Sequence, residues 1–185
     1  MEKGQKPDTD RQFTAVVDMC RKLFISKLGD YGAAWRILRP ESMTDQIFIK
    51  AKRIRSIETK GVALVGDDIR SELIGIVNYG IMALIQLEKG CADTVDMSNE
   101  EAVEQYDAHA AEILALMKRK NHDYDEAWRS MRPSSYTDLI LSKVNRTKQI
   151  EDHHGETKVS EGVDANYMDM VNYAVFGLIR IEYGD

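Results

Sequence analysis

The side chains best suited to hold a cation gather near the end of the chain. Glu161-x-x-Asp164 and Asp169-x-x-Asn172 place oxygen atoms one turn apart on what the sequence predicts to be a single helix. That spacing suits Mg²⁺, which prefers one or two carboxylates plus water and phosphate oxygens to an all-protein cage. Glu151, at the end of the preceding predicted helix, would complete the set from across the bundle. Asp169 lies in the middle of an apolar segment, and Asn172 on the same segment must find a partner once buried. On this reading Asp169 and Glu161 are the catalytic groups, and Glu161, Asp164, Asp169 and Glu151 are the metal ligands. Carboxylates at a helix N-terminus are also favoured by the helix dipole alone, which would account for Glu161 and Asp164 without a metal.

Cations form the complementary set. Trp-Arg-x-x-Arg-Pro occurs as Trp35-Arg36 with Arg39-Pro40 and as Trp128-Arg129 with Arg132-Pro133. Two guanidinium groups three residues apart can share one side of a helical turn and clamp phosphate or carboxylate, while the tryptophan stacks on a base. The alternative is structural: the tryptophans plug the core and the arginines bond to helix-end carbonyls or nearby aspartates. Lys50 and Arg53, like Lys143 and Arg146, fall one turn apart on one face. They suit an anion site, and equally a solvated face whose cations favour the helix C-terminus. Ser42, Thr44 and Asp45, with Ser135, Thr137 and Asp138, have the types preferred at helix caps.

Most of these residues come in pairs. Asp30, Tyr31, Ala34, Trp35, Arg36, Arg39, Pro40, Ser42, Thr44 and Asp45 recur 93 residues later, from Asp123 to Asp138, and the match continues from Lys50 and Arg53 to Lys143 and Arg146. After a loop the offset becomes 94, setting Val77-Asn78-Tyr79 against Val171-Asn172-Tyr173. The chain is therefore a duplication. The acidic set is not fully repeated: Glu58 and Asp67 remain, but Arg70 stands at the place of Asp164 and Gly75 at that of Asp169, with Glu72 one turn earlier. A metal would accordingly belong to the second copy.

Helical periodicity predicts the elements that position these groups. One stripe runs Phe13, Val16, Val17, Cys20, Phe24 and Leu28, with Thr9-x-x-Gln12 ahead of it as a capping box. A short helical turn around Trp35 must end by Arg39, before Pro40. A helix capped by Ser42-x-x-Asp45 carries Ile47, Ala51 and Ile54; a loop over Glu58 to Asp67 leads to an apolar helix from about Asp68 to Glu88. Ser98-x-x-Glu101 opens the same plan again. No stretch alternates like a strand. The predicted fold is all-α: duplicated three-helix units, over 1–90 and 98–185 with a linker at 91–97, forming one pseudo-twofold bundle with a shared core.

Bulk properties exclude several classes. A net charge of −6 opposes duplex nucleic acid as a partner but leaves room for a small phosphorylated ligand at a local basic patch. Two cysteines at non-equivalent positions make neither a disulfide framework nor a zinc spacing. The polar N-terminus lacks a signal-peptide core, and the apolar runs fall short of the roughly 20 residues of a membrane span, so a cytoplasmic location is expected. There is no Ser-His-Asp order, no glycine-rich phosphate loop and no cysteine cluster, which argues against a nucleophilic side chain. Whether the chain is a monomer or a homo-oligomer stays open.

Lys120-Asn121-His122-Asp123-Tyr124, the repeated Asp-Tyr-x-x-Ala-Trp-Arg-x-x-Arg-Pro and the closing Asp169-x-x-Asn172-Tyr173 resemble the nucleotide modification associated domain 1 family, here in tandem. The resemblance implies an association with nucleotide or modified-base metabolism. More loosely, the arrangement is similar to the all-α MazG-type NTP pyrophosphohydrolases, which hold Mg²⁺ against a triphosphate through paired acidic motifs. Of those motifs this chain has Glu161-x-x-Asp164, with Glu151-Asp152 as a partial stand-in. Together these features lead to an expected Mg²⁺-dependent nucleotide-processing enzyme. In it Arg129, Arg132, Lys143 and Arg146 (and Arg36, Arg39, Lys50 and Arg53 in the first copy) neutralise phosphate, Trp128 or Tyr124 faces the base, and Asn172 contacts the ligand. A non-catalytic nucleotide-binding module and a purely structural scaffold are the alternatives.

Overall fold

A computed structural model describes residues 8–61, 68–156 and 161–184. Among them are six long helices: α1 (Thr9–Tyr31), α2 (Pro40–Lys60), α3 (Ile69–Lys89), α4 (Asn99–Tyr124), α5 (Pro133–Asp152) and α6 (Val163–Tyr183). Two short 3-10 turns, Ala34–Ile37 and Ala127–Ser130, carry the tryptophans. No strand occurs among the described residues, and no helix among them is long and apolar enough to cross a membrane. Asp67 of the acidic set lies outside the described residues.

Proline decides where α2 and α5 begin. Pro40 and Pro133 each occupy the first helical turn, where the N–H that proline lacks would have no intrahelical partner and its fixed φ suits the helix. Ser42 and Asp45, like Ser135 and Asp138, therefore sit inside their helices and are not caps. Thr9-x-x-Gln12 is not a capping box either. Asp8 caps α1 by accepting from the Arg11 N–H at 3.1 Å, and Thr9 and Gln12 turn to the second repeat. Ser98 does cap α4 as its type and position predict, accepting from Glu101 N–H at 3.1 Å. α2 runs past Glu58 to Lys60 and ends at Gly61, whose φ of 74° is the left-handed geometry glycine allows.

α3 and α6 are buried around most of their circumference and pack on each other at the centre. Where they meet, a Cβ on Gly80 would lie 2.4 Å from Cγ2 of Val171. α2 lies on α3 and α5 on α6, and α2 and α5 touch across the same axis. Their contacts there are reciprocal. Arg55 pairs with Asp138 at 2.6 Å, and Lys148 with Asp45 at 3.2 Å. Glu151 accepts from Thr44 at 2.7 Å, and Glu58 bonds to Thr137 in the equivalent place. The predicted pseudo-twofold all-α bundle is the observed fold.

α1 and α4 run antiparallel over this four-helix centre, joined by Arg21–Asp107 at 2.7 Å and Lys118–Asp10 at 3.6 Å. Each also reaches the opposite repeat. Tyr106 of α4 stacks on Phe24 of α1 with centroids 4.6 Å apart and donates its hydroxyl hydrogen to Asn78 of α3 at 2.8 Å. Phe13 of α1 meets Phe176 of α6 edge-on at 6.3 Å.

Two outcomes check this account. Gly80→Ala should lower stability by about 1–3 kcal/mol, because the new methyl overpacks the α3–α6 contact and a β-branched valine has little freedom to yield; an unchanged urea midpoint would refute the close approach. The second concerns pH. Burial first, then the nearby acid Glu41, raises the pKa of Glu151 above its ordinary 4.5, although the bonds from Thr44 and Tyr167 pull it down. The unfolded chain releases this proton earlier, so the group opposes folding progressively as pH rises from 4.5 through its raised folded value. Glu151→Gln keeps an acceptor for Thr44 and should stabilise more at pH 7 than at pH 4, read as urea midpoints; an equal difference at both would contradict the assignment.

Candidate functional site

Each repeat holds a cavity built from the same positions. In the second repeat it measures about 360 Å³ and lies between the end of α4, the 3-10 turn and the middle of α6. Met117, Lys120, Tyr124, Trp128, Asn172 and Phe176 are prominent in its wall. The first repeat's cavity measures about 580 Å³, and Phe24, Lys27, Tyr31, Trp35, Asn78 and Met82 occupy the corresponding places. Both volumes fall in the range of about 300–1,000 Å³ typical of small-molecule sites.

Each tryptophan reaches its cavity because of the turn that precedes it. α4 stops where Asp125 and Glu126 adopt φ of 44° and 64°; Gly32 does the same after α1 with φ of 61°. The chain then folds into one 3-10 turn and is redirected by proline. Trp128 is buried, stacks on Phe176 with centroids 4.2 Å apart and planes 9° from parallel, and donates Nε1–H to Glu126 at 3.0 Å. Tyr124 is 70% exposed at the rim.

The arginines of the repeated motif hold this turn in place. Arg36 is buried and donates to Asp96 at 3.0 Å, to the Gly90 carbonyl at 2.7 Å and to Gln86. Arg129 donates to Thr9 at 3.0 Å and to Gln12 at 2.5 Å and lies over the Trp128 ring at 4.3 Å. Arg39 and Arg132 are exposed and line neither cavity. The expected arginine clamp is thus not assembled, because helix-end carbonyls and the start of α1 take up Arg36 and Arg129.

Asp169 is the buried charge of the second cavity, at 5% exposure. Lys120 of α4 donates to its Oδ1 at 2.6 Å, and Lys143 of α5 lies 2.9 Å from its Oδ2. Burial works to lower the Lys120 pKa, but the bond and charge of Asp169 overcome it and the value ends above that of an ordinary lysine. Burial, followed by the charge of Asp169, raises the pKa of the neighbouring Tyr173 phenol, and exposed Arg146 acts in the opposite sense. Asn172, also 5% exposed, lines the cavity, and its Oδ1 has no hydrogen-bond partner among the described residues. A buried carbonyl left in this state costs about 1–3 kcal/mol.

The expected magnesium set does not come together. Both Asp169 oxygens face ammonium groups, whose charge repels a dication. Glu161 is exposed, though its charge reaches Lys120. Asp164 is exposed and outside the cavity lining. Glu151 lies at the α2–α5 contact with Thr44 and Tyr167. Among the described residues no group of three or more Asp, Glu, His or Cys could hold a metal ion. The residues present do not fit Mg²⁺ in the arrangement expected from their spacing.

The first repeat solves the same charge problem differently. Glu72, one turn before Gly75, is buried and pairs with Arg53 at 2.7 Å and more distantly with Lys50 at 3.6 Å. Lys50 and Lys143 thus keep equivalent roles while the acid moves along its helix. Lys120 was not among the expected site residues. Its signal was present, since Lys27 precedes it at the common offset of 93. Phe176 had no such signal, because Met82 stands at its counterpart.

With this geometry established, comparison with known families bears on the chain as a whole. The family described as Nucleotide modification associated domain 1 matches residues 27–87 and again 120–181. No curated protein and no solved structure matched the chain. The chain belongs to the nucleotide modification associated domain 1 family and carries the domain twice.

Asp169→Leu would leave Lys120 and Lys143 facing an apolar wall. Removing one partner of a buried pair typically costs about 3–5 kcal/mol; Lys120 is 46% exposed and screened, so a loss of about 2–3 kcal/mol is expected. Urea unfolding measures it, and a variant as stable as the parent would show that the pairs contribute nothing.

Proposed function

We propose that this tandem member of the nucleotide modification associated domain 1 family binds a nucleotide in the cavity of its second repeat. The base stacks on the exposed ring of Tyr124 beside the Trp128–Phe176 pair, and the amide of Asn172 addresses its polar edge. Lys120, half-exposed and already ordered by Asp169, reaches the phosphate, with Arg146 outside it. The observation that carries this reading is a single cavity joining a stacked aromatic wall, an unpartnered buried carbonyl and a lysine anchor. An aromatic face accepts any base by stacking, whereas a buried amide without a partner rewards the ligand that pairs with it. The domain's association with nucleotide modification supports the ligand class.

The carboxylate chemistry favours binding over metal-dependent hydrolysis. Asp169 is engaged by two ammonium groups, and no group of three or more Asp, Glu, His or Cys that could hold a metal forms among the described residues. Asp169 then serves as a positioning residue, holding Lys120 in the orientation a phosphate needs.

Ribo- and deoxynucleoside triphosphates can be screened by thermal shift with Mg²⁺ and with EDTA. At 100 times Kd the binding nucleotide should add about 2.7 kcal/mol of stability. The shift should persist in EDTA and be lost in Lys120→Met, and no pyrophosphate should appear. Absence of any shift would overturn the proposal. Stabilisation that requires Mg²⁺ and is accompanied by pyrophosphate release would overturn it in favour of hydrolysis with Asp169 and Glu161 at a metal.

A further inference from the structure

The two cavities share a plan but differ at the two points that matter for a ligand. The first is the amide. Asn78 donates to the Cys20 carbonyl at 3.1 Å and accepts from the Tyr106 hydroxyl at 2.8 Å, so its polar groups are committed within the protein. Its counterpart Asn172 has a carbonyl without a donor among the described residues. The residue equivalent to Tyr106 is Phe13, which has no hydroxyl to give.

The second difference is the acid. Gly75 stands where Asp169 does, and the Lys50 stem lies over it, with Cδ and Cε each 2.8 Å from where a Cβ would be. Among the described residues the Lys50 ammonium pairs with Glu72 at 3.6 Å, and Arg53 holds the same carboxylate at 2.7 Å. Lys143 has its carboxylate at 2.9 Å. Exposed Lys27 lines the same cavity, and the buried indole Nε1–H of Trp35 has no acceptor among the described residues. The first cavity therefore offers Lys27, and Lys50 whose ion pair with Glu72 is longer than a hydrogen bond, beside an apolar wall of Phe24, Leu28, Leu38 and Met82.

We infer that the first repeat is a second ligand site, which grips the phosphate of a nucleotide through Lys50 and Lys27 and takes its base without selection. The ligand phosphate supplies the negative charge that Asp169 provides in the other repeat. The ring rests on the apolar wall and is not read at its edge, because the side-chain amide there, that of Asn78, is already satisfied. The inference takes its ligand class from the reading of the second repeat but uses a different site.

The two tryptophans of the chain, one in each cavity, separate the sites. In Trp128→Phe only Trp35 reports, and in Trp35→Phe only Trp128; circular dichroism and melting confirm that each variant is folded. Titrating Trp128→Phe with AMP, GMP, CMP and UMP should change Trp35 emission with dissociation constants within about threefold of one another, and adenosine should bind at least about tenfold more weakly. Adding Lys50→Met, or Gly75→Asp to give Lys50 an internal carboxylate, should each weaken AMP by about tenfold or more, the loss of a charge-assisted bond. Lys50→Arg should retain binding. The proposal fails if no monophosphate alters Trp35 emission, if adenosine equals AMP, if one base is preferred by about tenfold, or if Gly75→Asp leaves affinity unchanged. It also fails if inorganic phosphate competes as strongly as AMP, which would indicate a bare anion site. A silent Trp35→Phe protein beside a responsive Trp128→Phe protein would remove the reading of the second repeat and leave this one standing.

Discussion

The packing of α3 against α6 is the constraint from which the rest of the structure follows. Both helices are apolar around most of their circumference, and such a helix is stable only when covered on every side. Three helices of one repeat expose too much of their central member, and a domain of that size buries a smaller fraction of its surface than one twice as long. Setting α3 on α6 resolves both deficits at once, provided the backbones come close enough. Gly80 permits this by leaving room for Val171. The remaining faces are then covered by α2 and α5 below and by α1 and α4 above.

Sharing a core makes each repeat depend on the other for its finishing contacts. The 3-10 turn of the second repeat is tied to the start of α1 through Arg129, Thr9 and Gln12. That of the first is tied through Arg36 to Asp96, just before α4. The free side of each turn is closed by a residue near the end of the inner helix. Gln86 donates to the carbonyls of Arg36 and Leu38, and Arg180, at the equivalent place, donates to that of Met131. Different side chains meet the same demand, because the buried carbonyls need donors and are indifferent to which residue supplies them. The exchange of α1 and α4 also lets the cavities diverge: Tyr106 satisfies Asn78, while Phe13, from the other repeat's first helix, offers Asn172 nothing.

Buried charge obeys a similar rule. In each repeat a carboxylate of the inner helix that lines the cavity faces a lysine of the neighbouring outer helix. The lysine keeps its place in the two repeats, but the acid is Asp169 in one and Glu72, a turn away, in the other. A charge taken from water must be neutralised, and the longer glutamate reaches the same lysine from the earlier turn. What shifts with the acid is the state of the lysine: Lys143 is held closely, and Lys50 at a distance longer than a hydrogen bond.

The duplication, the all-α class, the number of helices and the shared core were legible in the sequence alone. They rest on periodicity, on proline and glycine punctuation and on an offset, all local properties of the chain or comparisons of the chain with itself. Asp169 and Asn172 were also recognisable as polar groups on an apolar helix that had to be accounted for. Their partners were not. Lys120 and Asp169 are 49 residues apart, Lys143 comes from a third helix, and carboxylate spacing along one helix says nothing about which cations face it from the others. The threonines and aspartates after each proline have the residue types of caps and become cross-axis contacts for the same reason: a cap preference is a property of a few residues, and the approach of α2 to α5 is not. Local chemistry determined what each side chain is able to do. Only the close packing of the helices decided which groups stand within bonding distance, and it left unlike cavities in two halves built on one plan.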